Sequence, residues 1–276
     1  MTGTGSADMH GAISVINATA TGHGAALAIQ GGVQATWTIT DRPDLDWQTP
    51  GMDDRLVRAV HALLTERYGL PSGAAVRTDS PFPPARGLKT SSGAAAALLL
   101  AGVQAGDISL RRDELIERSV QAAVAAGVTL TGALDDQVAV VCGGCHLTDN
   151  PTGRTLESLA VEKWAVAVWV PQHAIAKQDV ARVDATAIAR QITQAEHVLL
   201  DGDLPGALTL NGQAFTDLYV RAGLPVTTAP AHLAMDHGAL GAGLSGTGPA
   251  VAALFDAPVD LPAVPGGSWV WTEAVP

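Results

Sequence analysis

Residues 83–94 combine hydroxyl groups, a lysine and the start of a helix, a combination that suits anion binding. Two prolines interrupt the preceding structure, and the alanine- and leucine-rich run after Gly93 favours a helix. The free N–H groups and the dipole at a helix start attract negative charge, and serine or threonine hydroxyls can ligate Mg²⁺. The pattern predicts a nucleotide-phosphate loop; the alternative is an N-capped core helix with a serine-rich start. The predicted nucleotide-binding residues are Pro84, Ala85, Arg86, Gly87, Leu88, Lys89, Thr90, Ser91, Ser92 and Gly93.

Two adjacent carboxylates, Asp135 and Asp136, follow a glycine turn within residues 129–137. We interpret Gln137–Cys142 as a strand, so the two side chains are expected to point apart and only one would face a cleft. A carboxylate beside a phosphate site can take a proton from an alcohol or help to hold a metal ion. The alternative is a turn that exposes both acids.

Residues 241–250 are rich in glycine and lead into the predicted strand Val251–Phe255. Gly241, Gly243 and Gly246 match the spacing of a dinucleotide-binding fingerprint. That fingerprint follows a strand and opens a helix, whereas this segment leads into a strand. A loop that approaches a ligand closely, or a plain glycine-rich turn, fits better. A nicotinamide oxidoreductase stays the alternative from a different class.

Cys142, Cys145 and His146 match the Cys-x-x-Cys-His string of covalent haem attachment. That modification belongs to exported proteins, and the N-terminal residues have no basic stretch followed by an apolar one. We therefore interpret the cysteines as two buried thiols, with a redox pair as the alternative.

The composition excludes several classes of function. The net charge is −11, which disfavours a nucleic-acid partner, and 47% of the residues are hydrophobic, which is enough for a large core. The apolar run from Ala94 to Val103 is too short to span a membrane. We expect a cytoplasmic protein.

The elements that would position these residues mix helices and strands without βαβ alternation, so the fold class is predicted as α+β. The polar turn at residues 149–153 suggests a boundary between a catalytic domain, residues 1–150, and a second domain, residues 151–276. Predicted helices cover residues 52–68, 94–103, 113–126, 180–199, 207–222 and 231–237. Predicted strands cover residues 12–17, 25–29, 33–39, 74–78, 137–142, 161–170, 251–255 and 268–272.

Three segments, in order, resemble the motifs of the GHMP kinases. Pro83, Gly87, Leu88, Ser91, Ser92 and Ala94 fit the second motif, and Gly243–Pro249 is similar to the third. The forms Gly-Leu-Lys-Thr-Ser-Ser and Thr-Gly-Ala-Leu-Asp-Asp look most like the archaeal-type shikimate kinases. The N-terminal segment 16–26 also looks like theirs, although their pattern places a lysine where this chain has His23.

The resemblance implies a two-domain fold, with an N-terminal ribosomal-S5-like domain and a C-terminal ferredoxin-like α/β sandwich. It implies ATP-dependent phosphorylation of the 3-hydroxyl of shikimate, in aromatic amino-acid biosynthesis. Homoserine or mevalonate is the alternative acceptor. The protein would be a cytoplasmic monomer or homodimer.

Site roles follow from the same resemblance. Asp135 would be the catalytic base, Lys89 would assist it, and Ser92 would hold Mg²⁺. The remaining metal ligands stay open, because residues 119–127 carry no acid where many relatives place one; the nearest acids are Glu117 and Asp136. The substrate carboxylate would meet Arg221, Arg86 or Lys89. The residues expected around the substrate are Asn17, Thr21, Gly22, His23, Asp135, Arg221, Ser245, Gly246 and Thr247.

Overall fold

The computed structural model describes residues 3–49 and 53–276, which form two mainly antiparallel sheets covered by helices. The first sheet has the order β3-β4-β2-β5-β6, and β1 pairs with β2 along almost its whole length. Among the strands of the described residues, only β3 and β4 pair in parallel. The strands of this sheet are β1 (Thr4–Ile16), β2 (His23–Ile39), β3 (Leu45–Trp47), β4 (Ala74–Asp79), β5 (Cys145–Asp149) and β6 (Arg154–Leu159).

The second sheet is fully antiparallel, with the order β10-β7-β9-β8. Its inner strands are continuous apolar runs, because both faces of each are buried. The strands are β7 (Ala165–Pro171), β8 (Gly241–Leu244), β9 (Val251–Phe255) and β10 (Gly267–Glu273).

The helices pack on both sheets, and the helix α2 (Thr90–Ala105) packs against β1 and β2 of the first sheet and against three other helices. Its alanine, glycine and leucine residues are buried around most of the circumference, as its nearly uniform apolar sequence predicts. The helices are α1 (Arg55–Tyr68), α2 (Thr90–Ala105), α3 (Arg112–Ala125), α4 (Leu134–Cys142), α5 (Lys177–Val180), α6 (Ala189–Leu200), α7 (Leu204–Arg221) and α8 (Ala229–Asp236). No helix in residues 3–49 and 53–276 is long and apolar enough to cross a bilayer.

A continuous apolar core joins the two sheets. Buried residues of β1, β2 and β5 pack with residues of β7, β9, α6 and α7 in one cluster. A second cluster fills the space between the first sheet and α1 to α4. The β5–β6 hairpin carries the first sheet to Leu159, so the predicted boundary at residue 150 falls inside the turn of that hairpin. The division into two domains stays a prediction.

The predicted strand Gln137–Cys142 is wrong, because these residues belong to helix α4. A short apolar, β-branched run cannot be assigned to a strand or a helix by its pattern alone. The helix begins after Ala133, which has a positive φ of 50°, and its first turn carries the two aspartates, which the helix dipole favours there. Asp135 and Asp136 therefore share one helical turn, and both are buried instead of pointing apart.

The predicted helix 180–199 is also interrupted. Helix α5 ends at Val180, a 3₁₀ turn covers Ala185–Ile188, and α6 begins at Ala189. Asp184 caps the 3₁₀ turn by accepting from the backbone N–H of Thr186 at 3.0 Å, which accounts for the break. The predicted strand 12–17 is the end of the longer β1, which begins at Thr4, and the predicted strands 25–29 and 33–39 form the single strand β2. The other predicted elements recur within about four residues of their predicted ends. The predicted start of α1 at Met52 lies outside the described residues.

Candidate active site

The loop before α2 turns sharply and directs the helix start toward a cavity. Ala85, Gly87 and Lys89 have positive φ angles of 57°, 86° and 59°. The first N–H groups of α2 have no intrahelical partners, as in any helix. Lys89, which immediately precedes the helix, makes no side-chain capping bond to them. This is the geometry of a helix N-terminus that accepts an anion.

The cavity at this helix start has a volume of about 100 Å³ and is lined by residues from several distant segments of the chain. The phosphate loop, the acidic turn and the glycine-rich loop meet there, together with the end of β1. Ser92, Asp135 and Gly246, which lie far apart in sequence, face one space. Its polar and loop residues include Ser14, Asn17, Lys89, Thr90, Ser91, Ser92, Asp135, Asp136, Gly246 and Thr247.

Hydrogen bonds lock these segments together. Ser245 Oγ donates to the carbonyl of Gly87 at 2.8 Å and accepts from the backbone N–H of Ser14 at 3.1 Å. Asn17 Nδ2 donates to the carbonyl of Gly246 at 2.8 Å, while its own backbone N–H donates to Asn211 Oδ1 at 2.9 Å. The glycine-rich loop thus holds the phosphate loop against β1.

Replacement of Gly87 is expected to separate these loops. A Cβ at Gly87 would lie 2.1 Å from the carbonyl oxygen of Ser245, and the residue needs a φ of +86°. We expect Gly87→Ala to raise the KM for nucleotide at least tenfold, because the loops must move apart. Gly69→Ala is the matched control, since Gly69 also has a positive φ but a Cβ there would meet nothing within 4 Å. Equal KM values in the two variants would contradict the packing role of Gly87.

Lys89 reaches across the cavity to the acidic turn. Its Nζ lies 2.7 Å from Asp136 Oδ1, and both side chains are nearly buried, with exposures of 11% and 12%. Although burial alone favours the neutral amine, the charges of Asp136 and Asp135 hold the pKa of Lys89 above its ordinary value. The cavity therefore contains a charged ammonium group, held in place beside the N-terminus of α2.

Asp135 is prepared to exchange a proton near neutral pH. Burial and, to a smaller extent, the charge of Asp136 raise its pKa to about 7, against the opposing influence of Lys89 and a hydrogen bond from Asn150. A carboxyl group with a pKa near the working pH suits general acid–base catalysis. The position of Gly24 permits this burial, since a Cβ there would lie 2.7 Å from Asp135 Oδ2.

Asn150 was missed by the sequence analysis, which placed it in a turn between domains. Its Nδ2 donates to Asp135 Oδ1 at 2.9 Å and to Thr131 Oγ1 at 3.2 Å. Thr148 Oγ1 donates to Asn150 Oδ1 at 2.7 Å and thereby fixes the amide. The asparagine fixes the orientation of the carboxylate, and only the pairing of β2 with β5 brings it there.

Loss of the Asn150 amide should move the pH profile. The hydrogen bond favours the ionised carboxylate, so Asn150→Ala is expected to raise the pKa of Asp135. If the ionised form is the active one, the acidic limb of kcat/KM against pH moves to higher pH. The measurement is the full profile of the variant and the wild type. A uniform loss of activity with an unmoved limb would contradict this positioning role.

A second, larger cavity of about 750 Å³ continues from the same loop. It has apolar walls and shares five residues with the Asp135 cavity: Ala85, Thr90, Ser91, Val128 and Leu130. Its size and composition suit a flat heterocycle with a sugar attached. The apolar walls are formed by Val33, Leu56, Phe82, Pro83, Ala94, Val128 and Leu130.

Several predicted substrate residues lie at the edge of this region or away from it. His23 does not line the Asp135 cavity, and its Nδ1 lies 2.9 Å from Glu196 Oε1 on α6. The hydroxyl of Thr21 accepts from the backbone N–H of His23 at 3.2 Å, and the carbonyl of Gly22 accepts from Asn150 N at 3.1 Å. Both contacts shape the loop after β1.

The arginines predicted to meet a substrate carboxylate are also placed elsewhere. Arg86 donates to the carbonyls of Pro84, Pro171 and Gln172, which ties the loop to the end of β7. Arg221 lines a separate cavity beside Arg182. Among the three predicted cations, Lys89 is the one that lines the Asp135 cavity.

The two sequence patterns that suggested other chemistry have structural explanations. Gly241–Leu244 is strand β8, so no helix follows the glycines as a dinucleotide site requires. Cys145 is completely buried, and burial raises the pKa of its thiol. Cys142 is only half-buried, so the prediction of two buried thiols is wrong for Cys142. No group of three or more histidine, cysteine, aspartate or glutamate side chains suited to a metal ion occurs within the described part of the chain.

Comparisons with known proteins agree with this geometry. Residues 55–144 match the family model of the GHMP kinases N terminal domain, and residues 201–264 match that of the GHMP kinases C terminal. The shikimate kinase of Halobacterium salinarum is 40% identical over 88% of this chain and 85% of its own length. That of Methanothrix thermoacetophila is 36% identical over 91% and 85%.

The fold is also that of solved kinases. A crystal structure of L. major mevalonate kinase in complex with R-mevalonate superposes with a TM-score of 0.72 at 17% identity, covering 100% of this chain and 96% of that one. The predicted α+β fold class is confirmed.

Proposed function

The chain belongs to the GHMP kinase family, and on that premise we propose that it transfers the γ-phosphoryl group of ATP to the 3-hydroxyl of shikimate. The observation that carries the proposal is the common cavity of Ser92, Asp135 and Gly246 at the start of α2. The choice of shikimate rests on the similar enzymes of H. salinarum and M. thermoacetophila, which are shikimate kinases.

We place the nucleoside of ATP in the 750 Å³ cavity and the triphosphate at the start of α2. The two cavities share Ala85, Thr90 and Ser91, so a nucleotide that spans them would present its terminal phosphate beside Lys89 and Ser92. Backbone N–H groups, the helix dipole and the ammonium group of Lys89 would balance the phosphate charge.

Mg²⁺ fits the donors in this cavity. Ser92 supplies a buried hydroxyl and Asp136 a carboxylate oxygen, and both line the space where the phosphates would lie. Magnesium ions at nucleotide sites take few protein ligands and several from phosphate and water, which agrees with such a sparse set. The ion would neutralise negative charge on the phosphates.

Asp135 would orient the 3-hydroxyl and accept its proton while the hydroxyl oxygen bonds to the γ-phosphorus and ADP leaves. Phosphoryl transfer depends mainly on alignment and charge stabilisation. Lys89 would contribute a positive charge near the transferring group. Asn17 and Ser245 would hold the loops of the site together, since their side chains donate hydrogen bonds to the carbonyls of Gly246 and Gly87. Thr247 would complete the wall of the cavity.

We further propose that the protein works in the cytoplasm as a monomer or homodimer, with no nucleic-acid partner. The net charge of −11 supports the last point. We also propose that the chain consists of two domains, residues 1–150 and residues 151–276. Thr21, Gly22 and His23 would act only by shaping the loop after β1, since none of them lines the Asp135 cavity.

Measurement of ADP release with shikimate, homoserine and mevalonate tests the proposed activity. We expect turnover with shikimate, and a phosphorus NMR signal that couples to the proton at carbon 3 of the product. Turnover with homoserine or mevalonate but not with shikimate would identify that alcohol as the acceptor instead. Binding of NAD together with no binding of ATP would overturn the kinase assignment and favour the oxidoreductase.

A further inference from the structure

A cavity of about 290 Å³ lies beside the Asp135 cavity and is not used by the mechanism above. The two spaces share Thr19, Leu130 and Thr131, so they meet at those three residues. The other walls are small and apolar except for one phenol. These walls are formed by Val180, Ala181, Val183, Ala185 and Tyr219.

Tyr219 is a buried polar group without a hydrogen-bond partner. It is 1% exposed, and within residues 3–49 and 53–276 nothing bonds to its hydroxyl. Buried tyrosine hydroxyls nearly always find a partner, so an unpaired one that lines a cavity points to a ligand. An edge-on contact with Phe215, with ring centroids 5.6 Å apart, fixes the ring. Burial raises the pKa of Tyr219, which keeps the phenol protonated and able to donate.

The cavity is connected to the catalytic carboxylate through specific contacts. Thr131, at the shared wall, accepts from Asn150, and the same amide donates to Asp135. Tyr219 lies on α7 two turns after Asn211, whose side chain holds the end of β1 at Asn17. A small molecule that occupies both spaces would therefore meet Asp135 at one end and Tyr219 at the other.

We propose that Tyr219 is a specificity-determining residue that hydrogen-bonds a hydroxyl of the acceptor other than the one phosphorylated. This inference rests on the proposed function, because it takes the acceptor to be a small polyhydroxylated acid. The apolar walls would cover the carbon ring of such a molecule, and the hydroxyls of Thr19, Thr131 and Tyr219 would meet its polar edge. An acceptor without the matching hydroxyl would leave the phenol unpaired and bind less well.

The test compares the steady-state kinetics of wild type, Tyr219→Phe and Tyr68→Phe. Tyr219→Phe keeps the ring and removes only the hydroxyl, so we expect the KM for shikimate to rise roughly 5- to 100-fold while the KM for ATP stays unchanged. Tyr68 is the matched control, because its hydroxyl donates to Glu114 on α3 and lines neither cavity. We expect the wild-type KM for shikimate in that variant.

Shikimate analogues that lack the 4- or the 5-hydroxyl identify the partner of Tyr219. With the wild type, one of them should show a raised KM, and Tyr219→Phe should add no further loss for that analogue. Additive losses for both analogues, or an unchanged KM for shikimate in Tyr219→Phe, would overturn the inference.

The same experiment separates this inference from the proposed function. Absence of shikimate turnover by the wild type would refute the proposed acceptor, whatever the variants do. Phosphorylation of homoserine, which has a single hydroxyl, would refute this inference as well. If mevalonate is phosphorylated, its second hydroxyl allows the Tyr219→Phe comparison to be made with that acceptor. An unchanged KM for that acceptor would refute the role of Tyr219.

Discussion

Asp135→Asn is expected to lower kcat by roughly 10²- to 10⁴-fold, as loss of a general base does. The amide cannot take the proton of the acceptor hydroxyl, although it keeps the shape of the carboxylate. The fold should survive, because the change removes a buried negative charge that lies beside Asp136. The measurement is kcat with shikimate at saturating ATP, together with the melting temperature.

Asp107→Asn is the control for this variant. Asp107 is exposed, lies in the turn after α2 and has a positive φ of 56°, which asparagine tolerates well. We expect wild-type kcat in the control. A folded Asp135→Asn enzyme with near-normal turnover would remove the base role of Asp135.

The pH dependence of kcat/KM tests the role of Asp135 independently of any substitution. Because the pKa of Asp135 is raised to about 7, the ionised form needed for proton abstraction is lost as the pH falls through that value. We expect kcat/KM of the wild type to fall on the acidic side of neutrality with that apparent pKa. A profile that is flat from pH 6 to 8 would contradict the assignment.

Lys89→Met is expected to affect both activity and stability. It removes the cation beside the transferring phosphoryl group, which should cost roughly 10²- to 10³-fold in kcat/KM. It also leaves Asp136 charged and buried without its partner, and breaking a buried pair in this way typically costs about 3–5 kcal/mol of unfolding free energy. Denaturant unfolding and steady-state kinetics measure the two effects separately.

The double variant Lys89→Met/Asp136→Asn distinguishes the two roles. With the unpaired carboxylate removed, most of the stability should return, whereas activity should stay below that of Asp136→Asn alone, which loses the proposed Mg²⁺ ligand but keeps the cation. A return of activity together with stability would show that Lys89 serves only the fold.

The local parts of the site could be predicted from the sequence. The loop before α2 carries its information in consecutive residues: prolines, a glycine with positive φ, hydroxyls and a run of helix formers. Asp135 was also found, since an acidic pair after a glycine turn is visible in the sequence. The environment of Asp135 could not be predicted, because the run Gln137–Cys142 suits a strand as well as a helix. Only tertiary packing decides between the two.

The contacts made by pairing of distant segments could not be predicted. Asn150 reaches Asp135 because β5 pairs with β2, and Lys89 reaches Asp136 because α2 and α4 start beside the same cavity. In the sequence, Tyr219 does not differ from the other packing residues of α7. The structure shows that its hydroxyl is buried without a hydrogen-bond partner. No local pattern in the sequence carries these long-range relations.

A crystal structure of the enzyme with a non-hydrolysable ATP analogue, Mg²⁺ and shikimate tests the central claim most directly. We expect the terminal phosphate at the start of α2, beside Lys89 and Ser92, and the 3-hydroxyl of shikimate within about 2.6–3.2 Å of an Asp135 carboxylate oxygen. Shikimate bound away from Asp135, or a triphosphate that does not reach Ser92, would contradict the account.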